Sequence, residues 1–428
     1  MAERRRIVIL GSGFGGAYCA QELERRTRGS DVDILLIDRH NYFIFYPLLV
    51  EAGTGSLQPR HAVVSIRSFL KRSTFRMAEV QSIDVANQTV AYQVGGRSQV
   101  DRVRYDHLVL ALGSVTKMPN VSGLAEYGFQ MKSLADAVAL RDRAIQMLER
   151  ADATTDEEER RALLHFVVVG ANFTGAEVAG EFHNFLREAS RRYRNIRASE
   201  CNVTLVELQD RILTAVDPDV SDYAVRKMRA RGMRIALNTT VSQIAADHTI
   251  LKTGERLGTH TTIWCAGIAA PPIIQTTDLP TDALGYLLCE PNFRVKDTDN
   301  VWAIGDCAVN IDPAGTVYPP TAQHAVREGQ HLARNLAAVI KGRAPSPFEF
   351  SSLGALAALG CRTGVAKVFG IKLSGFTAWF LWRTVYLLKM PGWSRRLRVA
   401  LDWTMDLFFR RDYVELGLHR PKGRESNA

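Results

Sequence analysis

The feature that most narrows the possible folds is a unit that occurs twice. Residues 6–10 (RIVIL) form a short β-branched run, followed by Gly11-Ser-Gly-Phe-Gly-Gly16, an alanine-rich helical stretch to Arg26, and a second apolar run closed by Asp38. The second copy is residues 166–169 (FVVV), Gly170-Ala-Asn-Phe-Thr-Gly175, a long helical stretch, and the run NVTLV closed by Glu207. Short apolar runs bounded by glycine and alternating with helical segments predict buried parallel strands joined by helical crossovers. The expected fold class is therefore α/β, with two Rossmann-like dinucleotide-binding domains.

In the first copy Gly11 permits the tight turn, Gly13 lets the backbone approach a pyrophosphate, and Gly16 lets helix and strand pack closely. The helix start then offers unpaired N–H groups to phosphate. Asp38, 22 residues after Gly16, stands where an acid accepts ribose hydroxyls. The second copy departs from this pattern, because Asn172 occupies the place of the middle glycine. Asparagine tolerates left-handed backbone angles, yet its side chain takes up space that a pyrophosphate would approach, so weak or altered nicotinamide binding is one reading. Glu207 closes the second strand, and its charge repels a 2′-phosphate, which favours NADH over NADPH. A second domain that no longer binds nucleotide is the alternative.

At 428 residues the chain is too long for one core. Hydrophobic residues make up 46% and charged ones 23%, which points to a folded enzyme rather than a disordered or membrane-embedded chain. The six cysteines form no CxxC and no zinc spacing, so buried free thiols in a reducing compartment are expected, and no metal site. Met1-Ala-Glu-Arg-Arg-Arg6 runs directly into the first strand, and no signal or transit peptide is expected. The charged run 152–160 lacks an apolar stripe and reads as a solvated connection.

The motifs resemble those of the type II NADH:quinone oxidoreductases over nearly the whole chain. Matching stretches are the first glycine loop, Ile37-Asp-Arg-His-Asn-Tyr-Phe-Ile-Phe-Tyr-Pro-Leu-Leu49, Leu110-Ala-Leu-Gly113, Phe173-Thr-Gly-Ala-Glu177, Val301-Trp-Ala-Ile-Gly-Asp306 and Pro319-Pro-Thr-Ala-Gln-His-Ala325. The resemblance implies FAD held non-covalently, NADH as reductant and a membrane quinone as acceptor, without proton pumping. It implies a flavin domain, residues 1–118 and 289–350, split by an inserted nicotinamide domain, 119–288, with a C-terminal region 351–428 carrying membrane-associating helices. The cofactor-binding residues it implies are Gly11, Gly13, Phe14, Gly15, Gly16, Asp38, Arg39, Tyr46, Pro47, Ala111, Gly113, Gly170, Asn172, Gly175, Glu207, Gly267, Gly305, Asp306, Thr321 and Ala322. Glu177 is placed near the nicotinamide and flavin rings, and Gln323 in the quinone pocket. Each also has a plainer reading: Asp306 as a helix cap, Glu177 as a favourable charge at a helix start, Gln323 as a surface polar residue.

The formal charge is +9, and residues 371–428 carry eleven Lys or Arg against five Asp or Glu, a surplus of six. Residues 376–388 (FTAWFLWRTVYLL) are apolar but interrupted by Arg383, and fall short of the ~20 residues needed to span a bilayer. After Pro391-Gly392 a second segment is amphipathic: Arg398, Asp402, Asp406 and Arg410 recur on one face, Leu397, Leu401, Met405 and Phe408 on another. Four of the six tryptophans fall in this tail. The pattern predicts an interfacial anchor, and with it a peripheral protein on the cytoplasmic face of the membrane. A packed helix pair or a homodimer interface is the other use of such a tail. No nucleic-acid motif accompanies the charge. Two functional rivals remain: a sulfide:quinone oxidoreductase, which needs two cysteines at the flavin where only Cys361 is plausibly placed, and a non-catalytic FAD- and NAD-binding redox sensor.

Overall fold

The computed structural model describes residues 4–409 and 411–417. Arg410, and the first three residues on which the absence of a leader was read, lie outside them. The chain divides into two compact units. The first takes in the chain up to Ile44, with Val63–Val115 and Ile268–Ser352; the second takes in Phe45–Ala62, Thr116–Gly267 and the chain from Leu353 on.

In the first unit a seven-stranded sheet runs in the order Val301–Ala303, His107–Leu110, Arg5–Leu10, Val32–Asp38, Thr74–Asp84, Thr89–Val94 and Val100–Arg104. The first five are parallel and the last two pair antiparallel. Ile7, Val8, Ile9 and Leu10 are completely buried, as strands covered on both faces must be. Helices Phe14–Arg26 and Ala322–Ile340 pack closely: a Cβ on Gly329 would overlap the Gly15 carbonyl oxygen and lie 3.1 Å from the Cys19 nitrogen. The absence of a side chain at Gly329 sets the helix separation.

The second unit holds a parallel five-stranded sheet, ordered Gly128–Gln130, Thr261–Trp264, His165–Val169, Asn202–Val206 and Arg234–Ala236. Two three-stranded antiparallel sheets accompany it, Val241–Ile244 with His248–Leu251 and Arg256–Gly258, and Gly354–Ala358 with Gly364–Val368 and Ile371–Gly375. The chain then forms helices Phe376–Lys389 and Trp393–Phe408.

The units divide the chain differently from the sequence boundaries, and packing explains why. Ile268–Leu288 falls with the first unit because Ala270, Ile274, Leu279 and Leu287 join the apolar cluster of Val8, Leu10 and Leu110. Phe45–Ala62 falls with the second because Phe45 meets Tyr386 edge-on at 6.2 Å and Glu51 bonds to residues of the C-terminal helices. The charged run 152–160 is helical at both ends rather than a connection throughout. Leu134–Ala153 begins with a Ser133–Asp136 capping box, and Asp156 caps Glu157–Leu163 by accepting from the N–H of Glu158 and Glu159.

Candidate functional site

The two glycine loops have the same construction. Gly11 (φ +98°) and Gly170 (φ +94°) take left-handed backbone, and a Cβ on either would run into the neighbouring strand end, at Ala111 and Ala266. A Cβ on Gly16 would overlap the Gly11 oxygen, and one on Gly175 the Gly170 oxygen. In each copy the closing acid grips the loop. Asp38 accepts from the N–H of Ser12 at 2.6 Å and of His40 at 2.8 Å; Glu207 accepts from Ala171 at 2.5 Å and Gln209 at 2.9 Å. These acids therefore hold the loop's shape, and Asp38 remains partly exposed at the strand end. Phe14 opens the helix with its ring 5.7 Å from Phe43, Gly15 is buried against the Ile304 side chain, and Arg39 is exposed.

Position 13 is where the loop is open. A Cβ there would meet nothing within 4 Å, helix Phe14–Arg26 has no side-chain cap, and the buried Ser12 hydroxyl has no partner. A glycine that no protein atom requires, an uncapped helix start and an orphaned hydroxyl together fit a pyrophosphate. Nearby, Ala111 and Gly113 (φ +66°) end the strand His107–Leu110, and Ser114 donates to Asp306 at 3.0 Å.

Asn172 corrects the sequence reading in its mechanism. Its φ of −67° matches that of Gly13, so left-handed tolerance is not what it supplies. Its Oδ1 accepts from the Gly175 N–H at 3.0 Å and its Nδ2 donates to the Cys265 carbonyl at 2.8 Å. It is an N-cap, a role that stabilises a helix by about 1 kcal/mol, with its side chain held against the helix start. Gly267 (φ +77°) sits against the Lys117 side chain at the end of the same unit.

Gly305 (φ +71°) and Asp306 follow the strand Val301–Ala303. Sequence reasoning missed the residue that holds them, Glu328, whose buried carboxylate accepts from the Gly305 N–H at 2.6 Å and the Asn310 amide at 3.1 Å. Burial pushes it up to about 7, against those two donors. It lies five residues on from Gln323 in the same helix, and its only signal was an acid on a helix face otherwise rich in buried Ala and Leu. Thr321 precedes Ala322–Ile340 and its hydroxyl bonds to His324 Nδ1 at 2.6 Å. The Gln323 side-chain amide donates to the Ser352 hydroxyl at 2.8 Å, and its backbone carbonyl accepts from Arg327, which stacks on Phe350 at 4.2 Å.

Glu177 is buried within the second unit. Its Oε1 accepts from the Ala358 N–H at 3.0 Å and the Trp382 indole at 3.2 Å, and burial pushes it up to about 8. Glu181, one turn on, is pushed up to about 7 by burial, opposed by Arg411. Glu51 accepts from the Arg383 guanidinium at 3.2 Å and the Trp403 indole at 2.7 Å, while Arg383 lies over the rings of Trp379 and Trp403 at 4.4 and 4.7 Å. Arg383, which interrupts the apolar run in sequence, is thus paired inward. Tyr46, 41% exposed, lies under Lys132 and begins a short 3-10 turn with Pro47.

The tail tryptophans also need correcting. Trp379, Trp382 and Trp403 are buried, and only Trp393 is exposed, at 78%. They belong to a core, not an aromatic belt. The outward apolar residues are Leu397, Leu401, Met405 and Phe408, as the sequence periodicity placed them, with Phe376, Phe380 and Leu388 on the preceding helix. No helix among the described residues is long and apolar enough to cross a membrane. The cysteines of the sulfide rival are in poor condition for redox work: burial pushes Cys265 and Cys307 up to about 12, and Cys361 donates to Asn184 at 2.7 Å.

Comparison with known proteins agrees with this construction. Residues 5–329 match the pyridine nucleotide-disulphide oxidoreductase family, and residues 353–412 match the NDH2 C-terminal domain. A demethylphylloquinone reductase of Synechocystis is 32% identical over 94% of this chain and 96% of its own. A type II NADH:quinone oxidoreductase of Mycobacterium tuberculosis is 31% identical over 94% of this chain and 86% of its own. The NDH2 of Plasmodium falciparum, solved in complex with NADH, superposes with a TM-score of 0.88 at 21% identity, covering 96% of this chain and all of that one. The two glycine loops, the closing acids and the C-terminal sheet and helices make this chain a member of the pyridine nucleotide-disulphide oxidoreductases and, within them, of the type II NADH:quinone oxidoreductases.

Proposed function

We propose that the chain is a peripheral membrane enzyme that oxidises NADH and reduces a quinone, with FAD held on the first glycine loop. The observation that carries this reading is the loop repeated with the same acid-to-backbone bonds, once open at Gly13 and once capped by Asn172. Two dinucleotides require two such loops. When bound, FAD supplies the two-electron carrier between a hydride donor and a quinone. The chain's own part is to bind and orient. Gly11, Gly13 and the helix start receive the pyrophosphate, Gly305 and Asp306 the middle of the cofactor, and Glu328 fixes the turn that carries them. The unit comprising residues up to Ile44, Val63–Val115 and Ile268–Ser352 is then the flavin domain, and the five-stranded sheet whose strand Asn202–Val206 leads into Glu207 serves the nicotinamide.

Glu207 selects NADH, since a 2′-phosphate would meet a carboxylate already fixed on the loop. Glu177 acts as a positioning residue for the nicotinamide half-reaction: it carries its proton near neutral pH and fixes the strand Gly354–Ala358 and Trp382 in place. Gln323, with Thr321 and Ala322, lines the quinone side. The exposed apolar face of Trp393–Phe408 rests on the membrane, on the cytoplasmic side.

Anaerobic rapid mixing separates these roles. NADH should bleach the flavin absorbance far faster than NADPH, and a soluble quinone should restore it. Loss of one hydrogen bond to a quinone carbonyl costs about 0.5–1.5 kcal/mol, so Gln323→Leu should slow reoxidation roughly threefold to tenfold and leave reduction intact. Glu177→Gln should slow reduction only. A Gln323 variant impaired solely in reduction, or NADPH as good a reductant as NADH, overturns the corresponding assignment.

A further inference from the structure

Within the second unit, a cavity of about 400 Å³ is lined by Gln58, Arg60, His61, Ser394, Arg395 and Arg398. Residues more than 330 positions apart in the chain thus bring three guanidinium groups to one place. None of the three has a carboxylate partner among the described residues. Arg395 donates only to the Arg60 carbonyl, at 3.4 Å. Asp402, on the same helix as Arg395 and Arg398, is already taken: its Oδ2 accepts from the Gln58 N–H at 3.0 Å and from His61 Nδ1 at 2.5 Å. The cavity mouth also meets the start of helix Trp393–Phe408, which has no side-chain cap and no acid in its first turn. Its first N–H groups and the positive end of its dipole add to the arginines. Arg395 is held below its ordinary value by burial first and by Arg398 second.

We infer that this cavity binds the phosphate-bearing headgroup of an anionic phospholipid, with Arg60, Arg395 and Arg398 on the phosphate and Ser394 and Gln58 beside it. Its size falls in the range of small-ligand pockets, about 300–1,000 Å³. Arginine forks suit phosphate oxygens better than any other side chain. A lipid rather than a free anion is favoured by what adjoins the cavity. Trp393, Leu397 and Leu401, on the helix that supplies Ser394, Arg395 and Arg398, are exposed by 78, 52 and 54%, and would lie along acyl chains when a headgroup sits among the arginines. This inference rests on the reading of the chain as a peripheral membrane protein and gives that reading a defined headgroup site.

The test titrates the full-length holoprotein with monomeric dihexanoyl phosphatidylglycerol, dihexanoyl phosphatidylcholine and inorganic phosphate by calorimetry. One phosphatidylglycerol per chain is expected, bound more tightly than either of the others. Hydrogen bonds to charged groups scale to about tenfold or more each, so Arg395→Gln/Arg398→Gln should lose at least that factor. Ser394→Glu, which suits a helix start and places a carboxylate in the cavity, should do the same while the helix stays folded. Arg226→Gln/Lys227→Gln, a charge-matched change on an exposed helix, should bind as the parent does. Equal loss in that control means a diffuse field and overturns the site; so does parental binding by the double variant, or inorganic phosphate bound as tightly as the lipid. A lipid-free dimer that the double variant dissolves assigns the face to a second copy and also overturns it. Sedimentation with phosphatidylcholine and phosphatidylglycerol vesicles reads the parent reading separately. A chain that sediments with neither is no peripheral membrane protein, and the calorimetry still decides the cavity.

Discussion

At the scale of single residues, the two glycine loops show which positions serve the fold and which serve a ligand. Gly11 and Gly16 are boxed in by backbone, so any side chain there distorts the loop before a ligand is involved. Gly13 faces open space. Gly13→Val should therefore give a folded protein, with the apoprotein less stable than the parent's by about 1 kcal/mol, the usual scale for replacing a tolerated N-cap residue by an unfavourable one. It should nevertheless be colourless. Circular dichroism and absorbance near 450 nm after purification check both halves, and a variant with full flavin content means the pyrophosphate lies elsewhere. The glycines and their acids were legible because each is dictated by local backbone geometry. Glu328 and Asn172 were not: the first acts through a bond across 23 residues to Gly305, and the second replaces a glycine whose backbone angles turn out to be ordinary.

Among elements, the contact of Phe14–Arg26 with Ala322–Ile340 is the tightest test of the first unit. Alanine is intrinsically the better helix former than glycine by about 1 kcal/mol, so propensity alone says Gly329→Ala should stabilise. The Gly15 carbonyl in its way is backbone and cannot turn aside. Overpacking of this kind costs about 1–3 kcal/mol, and a net loss near 1–2 kcal/mol is expected, with weaker flavin retention because Gly15 and Gly305 flank the contact. Urea midpoints of the two holoproteins decide the sign. Sequence periodicity found the paired strands that flank each glycine loop and both tail helices, since apolar runs and amphipathic spacing are local. It misread the run 152–160, where a capping aspartate outweighs the missing apolar stripe. It gave no hint of the strands Gly354–Ala358, Gly364–Val368 and Ile371–Gly375, whose alanine- and glycine-rich sequence carries little β signal.

For the molecule as a whole, buried carboxyl groups set the pH response. Glu177, Glu181 and Glu328 are raised from 4.5 to about 8, 7 and 7. Between those limits the folded chain keeps protons that the unfolded chain has released, so their contribution to stability is full below 4.5 and falls as pH rises. Glu24 works in the opposite sense: although burial opposes it, the N–H groups of Ser73, Arg72 and Lys71 hold it below its ordinary value, and its contribution is lost as pH falls. The melting temperature should therefore drop from pH 6 to pH 9, by an amount reflecting a few kcal/mol, and Glu177→Gln/Glu181→Gln should flatten that slope. Differential scanning fluorimetry across the range measures it; a parent with no slope would mean that these carboxyl groups are hydrated. The inward pairing of Arg383 has a further consequence. With Glu51, Trp382 and Trp403 it ties the last two helices into the interior of the second unit, so the amphipathic tail is not an appendage. Deleting it would strand a buried carboxylate and lay bare the aromatic residues around it, yielding insoluble protein instead of a free enzyme. Variants that test the proposed membrane-facing surface therefore belong on the outer face of the last helix, because changes to its inner face act on the stability of the fold.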